Sequence, residues 1–214
     1  MTDRSVVMPA STRQQRLAAQ KDHTRGRILQ AARTVFAARG YHGTTMDDVA
    51  REAGLSKGAL YVHFPGKEDL FVSLVEDCAA ALAERVLAAI GAAEGGANKV
   101  AAALRAAVEA FSENESLTRL LLIEAVGLSP ALEQKRFALQ AALTSLVQRH
   151  LDDAASDGDI PQQDTALAAA AWIGAVNEVV VRWLHARQPA RLLDVVSPLT
   201  TLLLRSVGFP EERR

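Results

Sequence analysis

From Thr24 onward, apolar residues recur at the three- and four-residue spacing of a helix, and no stretch alternates convincingly with period two. That feature restricts the chain to an all-α fold. Ile28, Ala31, Ala32, Val35 and Phe36 share one face, Arg27, Arg33 and Arg39 lie off it, and Gly40 supplies a stop. In TTMDDVAREAG (44–54), Asp48 follows Thr45 by three residues, a capping box that predicts a short helix over 46–53. Gly54 breaks it, Ser56 can cap another over 57–64, and Pro65-Gly66 ends that one. A long amphipathic helix is expected over 67–90, as far as the GAAEGG loop at 91–96.

Beyond that loop, helices are expected near 97–113, 116–126, 130–154, 164–187 and 190–207. The breaks fall at Glu113-Asn114, Ser129-Pro130, SDGDIP (156–161) and Gln188-Pro189. Pro198 either kinks the last element or, with Ser197, caps a new start. Residues 1–21 mix Arg13, Gln14, Arg16 and Lys21 with small residues and show no firm period. They read as a flexible basic arm, either a frayed terminus or a segment that follows a DNA backbone.

Charge is divided unevenly along the chain. Residues 1–71 hold eleven Lys and Arg against seven Asp and Glu, whereas 72–214 hold thirteen against eighteen. A basic end on an acidic body suits contact with phosphate. Cys78 is the one cysteine, so no internal disulfide can form and a reducing compartment is expected. The first twenty residues contain no apolar run of signal-peptide length, and Asn177, Glu178 and Arg182 interrupt the most apolar window, 166–184. A cytoplasmic protein with no membrane partner is expected.

The two short helices are joined by a three-residue turn. Val49, Ala53, Leu55 and Leu60 can pack them together, Ala50 allows close approach, and Gly54 suits the left-handed turn. This is the helix-turn-helix pattern, about 45–64, completed by the Ile28–Phe36 face. With Leu60 inward, Lys57, Gly58, Ala59, Tyr61 and His63 remain around the outer side and the N-terminus of the second helix. A recognition helix uses those places on base edges and phosphates. Lys67 stands at the start of the next helix, where dipole and charge both favour an anion.

Residues 28–71 resemble the DNA-binding domain of the tetracycline-repressor (TetR) family. The likeness rests on AA at 31–32, Phe36, Gly40, TT at 44–45, VA at 49–50, AGLS at 53–56, Gly58, LY at 60–61, HF at 63–64 and KEDL at 67–70. It implies operator contacts at Thr44, Thr45, Lys57, Gly58, Ala59, Tyr61, His63 and Lys67. Val62 stands where many members carry a second aromatic or polar residue, so a phosphate contact there is not expected. Ala59 cannot donate a hydrogen bond, which leaves readout to Lys57, backbone amides, thymine methyl contact and DNA shape. Tyr41 reads as packing, and Arg25 as either packing or contact.

The resemblance divides the chain into an arm (1–21), a DNA-binding domain (22–82) and a ligand-binding and dimerisation domain (83–214). It implies a homodimeric repressor released from a palindromic double-stranded operator when a small hydrophobic effector moves the 67–90 helix. Candidate pocket residues are Phe111, Leu121, Glu124, Phe137, Trp172 and Asn177, with Trp172 and Phe137 foremost. Dimerisation also has support from the residues themselves. Apolar side chains surround the 164–187 helix almost completely, and SPLTTLLLRSVGF (197–209) is similarly apolar, which fits a four-helix interface. Ile173, Val176, Val180 and Leu202 are its candidates.

An enzyme and a helical protein-binding adaptor are the rival classes. The histidines at 23, 42, 63, 150 and 185 are dispersed, and no HExxH, CxxC, GxSxG or phosphate-cradling glycine loop occurs. Asp152-Asp153 and Asp157–Asp159 read as a solvated helix end and loop. Neither catalysis, a cofactor nor a metal is expected.

Overall fold

The computed structural model describes residues 10–210. Nine α-helices are present among them, and no strand. The chain divides into two compact units between Leu74 and Val75, within α4 and earlier than the 82/83 boundary read from the sequence.

The first unit, the head, holds α1 (Ala10–Gly43), α2 (Met46–Glu52), α3 (Lys57–His63) and the start of α4 (Lys67–Gly91). Its centre is a set of apolar side chains removed from water, among them Ile28, Phe36, Leu60, Leu70, Phe71 and Leu74. Each contributes about 1.5–3 kcal/mol. Phe71 lies 5.1 Å from the Phe36 ring and 5.0 Å from Tyr41, so Tyr41 is a packing residue. Arg25 is also structural, stacked 4.5 Å over Phe64 and donating to Ser73 Oγ at 2.9 Å.

Residues 10–21, part of the segment read from the sequence as a flexible basic arm, are helical and continuous with α1. From Arg13 to His23 every side chain is exposed. A helix with no buried stripe leaves no apolar period, which is why no helical signal is legible there. The part of the arm before Ala10 lies outside the described residues.

The second unit, the body, takes the rest of α4 and adds α5 (Gly96–Glu113), α6 (Glu115–Arg119), α7 (Pro130–Asp157), α8 (Thr165–Ala186) and α9 (Val196–Val207). The helix expected over 116–126 is broken into α6 and a wide π turn, Leu120–Glu124. The last expected element begins with a 3₁₀ turn, Leu192–Val195. Pro198 falls in the first turn of α9, where its missing N–H is tolerated, so it marks a start and not a kink. Trp172, Trp183, Leu184, Val196 and Leu203 share the buried cluster. Arg85 fastens α4 to α5 through Glu113 at 2.6 and 2.7 Å and Glu109 at 3.2 Å.

Candidate nucleic-acid interface

The head is built by local rules that can be followed residue by residue. The Thr45 hydroxyl accepts from the Asp48 N–H at 3.2 Å and donates to the Asp48 carboxylate at 2.6 Å. That carboxylate in turn accepts from the Thr45 N–H at 3.2 Å. Arg39 closes on the same carboxylate at 2.8 Å. Led by the Thr45 hydroxyl, these partners hold Asp48 below the usual carboxylate range. The turn from α2 to α3 passes through Gly54 at φ 64°, and Arg27 donates to the Ala53 carbonyl beside it at 2.7 Å. Ser56 then caps α3 by accepting from the Ala59 N–H at 3.2 Å.

These constraints set the rotation of α3. Leu60 is fully buried, while Tyr61 is 41% and Val62 76% exposed. Gly58 is exposed too, and a Cβ added to it would meet nothing within 4 Å. Lys57 is exposed and paired with Asp47 of α2 at 2.9 Å. Hydrogen bonding to Asp47, more than charge alone, raises its ammonium above the ordinary lysine range. His63 is half-buried at the opposite edge of the helix.

Two of the expected contacts point elsewhere. Thr44 is 1% exposed and its hydroxyl donates to the Gly40 carbonyl at 2.8 Å, so it ties the end of α1 and offers nothing to a phosphate. Lys67 folds its ammonium onto the Tyr41 and Thr44 carbonyls at 2.9 and 3.1 Å, 4.5 Å above the Tyr41 ring. It orders the α1–α2 connection in this state. The Thr45 hydroxyl is committed to Asp48, although the residue is exposed.

In the body, several pocket and interface candidates lie away from their expected surroundings. Phe137 is 60% exposed beneath the Arg136 guanidinium, and Glu124 and Asn177 face solvent, so none of the three lines an interior of this subunit. Trp172 is core, its indole N–H donating to Ser206 Oγ at 3.0 Å. Phe111 and Leu121 are half-buried. Among the interface candidates, Val180 is completely buried within its own subunit and cannot meet a partner. Ile173 and Val176 are half-buried, and Leu202 is 61% exposed. Leu167, which was not singled out from the sequence, is 67% exposed on α8 beside exposed Ala170, Ala171 and Gly174. Its spacing from Ala171 and Gly174 was the available signal.

Comparison with known proteins matches residues 28–74 to the family described as bacterial regulatory proteins, tetR family, and 93–207 to the tetracyclin repressor-like C-terminal domain. The HTH-type transcriptional activator FasR of Mycolicibacterium smegmatis is 40% identical over 91 residues, 42% of this chain and 40% of that protein. A TetR-family transcriptional regulator from Pectobacterium atrosepticum is 31% identical, with a TM-score of 0.72 over 92% of this chain and 98% of that one. The transcriptional regulator FadR from Bacillus subtilis in complex with stearoyl-CoA is 24% identical, with a TM-score of 0.76 over 86% and 98%.

Proposed function

The chain belongs to the tetR family of bacterial regulatory proteins, DNA-binding transcriptional regulators and not enzymes, and from that premise we propose that it acts as a homodimeric repressor on a palindromic operator. The observation that carries this reading is the rotation of α3, which buries Leu60 and leaves Lys57, Gly58, Tyr61 and Val62 exposed. Residues at the start and on the outer face of such a helix reach base edges in the major groove, and cations at its rim reach phosphate. Lys57 would exchange Asp47 for a phosphate oxygen. Tyr61, His63, Ala59 and Gly58 supply close contact, and the exposed Arg13, Arg16 and Lys21 of α1 extend the basic surface.

The dimer is read from α8 and α9. Among the described residues, α8 is the one helix long and apolar enough to cross a membrane. One side of it supplies Ala169, Trp172, Val180 and Trp183 to the core. The other presents Leu167, Ala170, Ala171 and Gly174, whose small side chains allow close helix approach. With exposed Leu202 of α9, this face suits a second copy in the cytoplasm. Two-fold symmetry would set the recognition helices about 34–36 Å apart.

The stearoyl-CoA held by the Bacillus subtilis FadR suggests the effector class, a long-chain acyl thioester. Half-buried Phe111, Leu122 and Ile123, which pack against the body core, and half-buried Leu121 beside them in sequence offer apolar surface for such a chain. Because α4 runs unbroken from head to body, occupancy of the body can bias the head through it.

A fluorescence anisotropy titration of the gene's own upstream DNA at several salt concentrations tests the reading. Specific binding is expected, with Lys57→Ala weakening it and lowering the salt slope by about 1, and stearoyl-CoA but not coenzyme A releasing the complex. Equal affinity for upstream and shuffled DNA would remove operator binding. Release by coenzyme A alone would remove the acyl effector.

A further inference from the structure

The crest of α3 carries no side-chain polar atom. With successive residues turned by about 100°, the direction opposite buried Leu60 falls midway between Gly58 and Val62, each within about 20° of it. Tyr61 and Ala59 flank that crest at about 80° on either side, and Lys57 and His63 lie farther round, about 60° from Leu60. The one side chain on that crest is therefore an isopropyl group, 76% exposed. Beside it is a glycine with open space around it, so no neighbouring atom bars a base from approaching. The exposed polar tips stand at the edges, where Lys57 is already tied to Asp47.

This pattern limits what the crest can read. In the major groove guanine shows two acceptors, cytosine a donor, adenine one of each, and thymine an acceptor beside a methyl group that no other base carries. An isopropyl packed on a hydrogen-bonding group of any base would leave that group dehydrated and unpaired, which is unfavourable. Packed on the thymine methyl, it removes apolar surface from water on both partners. We propose that Val62 is a specificity-determining residue that reads a thymine methyl in each half-site. Val62, where the family resemblance implies no phosphate contact, thus gains a base contact. This assignment rests on the operator-binding reading above.

The experiment begins with a pool of random duplexes enriched on the full-length protein. Each thymine of the enriched half-site is then replaced singly by deoxyuridine, which removes the methyl and leaves the hydrogen-bonding edges intact. Wild type is expected to lose about fourfold in affinity at one thymine per half-site, the worth of one buried methyl. Val62→Ala should bind the thymine duplex more weakly and no longer distinguish it from the deoxyuridine duplex. Because Val62 is exposed, that variant should keep its helicity and melting temperature, which circular dichroism checks. Insensitivity of wild type to every deoxyuridine, or an equal loss in Val62→Ala, overturns the assignment and leaves operator binding intact. A pool that enriches no sequence overturns operator binding, and the assignment with it.

Discussion

Helices α3 and α8 both turn a broad face to solvent, and they do so with opposite chemistry. Around the crest of α3 stand exposed Lys57 and Tyr61 and half-buried His63, each with a polar tip. The open face of α8 offers Leu167, alanines and Gly174. A rim of polar and charged groups suits a partner bound and released under control, because salt and water compete for it. A face of small apolar groups suits a lasting dehydrated contact. The same contrast runs through the two interiors. The head pairs a fully buried apolar centre with a closed capping network. In the body, two buried polar atoms, Trp183 Nε1 and Thr200 Oγ1, have no hydrogen-bond partner among the described residues, and the π turn interrupts a helix.

The largest expected break in this comparison comes from Leu202→Asp. A carboxylate buried without a partner in the dimer face opposes association by about 3–5 kcal/mol. Light scattering should then find a monomer at micromolar concentration with helicity unchanged, since Leu202 touches solvent in the single subunit. A dimer that survives would mean that another face pairs.

Leu60→Ala acts on the other side of the comparison. It opens a cavity beneath α3 and is expected to destabilise the head by about 2–5 kcal/mol. Urea denaturation should resolve an early transition, DNA binding should disappear, and the dimer should persist. Loss of the dimer as well would show that the two units fold as one.

Thr45→Ala removes the α2 cap at about 1 kcal/mol, measurable as a lower urea midpoint of that head transition. The smallest effect is expected on acidification. Asp48 in the head and Glu113 and Glu133 in the body all titrate below the usual carboxylate range, held there first by the Thr45 hydroxyl, Arg85 and Arg136 respectively. A depressed folded value means that the unfolded chain binds more protons. The stabilisation is therefore present above the ordinary carboxylate range and is lost as pH falls through the folded values. Melting temperature should drop modestly towards pH 3, and Asp48→Asn should flatten the head's share.

Much of the head was legible because its rules are local. Thr45 with Asp48, Gly54 and Ser56 each act within four residues of themselves, so spacing alone disclosed the caps, the turn and the inward Leu60. Lys67 was not legible in this way. Its ammonium reaches carbonyls of residues 41 and 44, chosen by how α4 returns against α1. Thr44 and Thr45 stand side by side, yet one is buried and the other exposed, just past the kink that interrupts α1 at Gly40, where φ is 69°. In the body, Phe137 and Trp172 were equally plausible as pocket residues, and Val180 and Leu202 as interface residues. An apolar side chain in an all-apolar helix carries no mark of which neighbour it will face.

By itself the sequence determined the helical class, the order and most limits of the helices, and the helix-turn-helix with its outward face, since periodicity, caps and turn residues act within a few positions. Only tertiary structure decided that Lys67 and Thr44 turn inward, and that Leu167 and Leu202 remain open while Val180 is enclosed. Those outcomes depend on how distant elements are rotated against one another, and rotation is settled by packing between segments that no local spacing records.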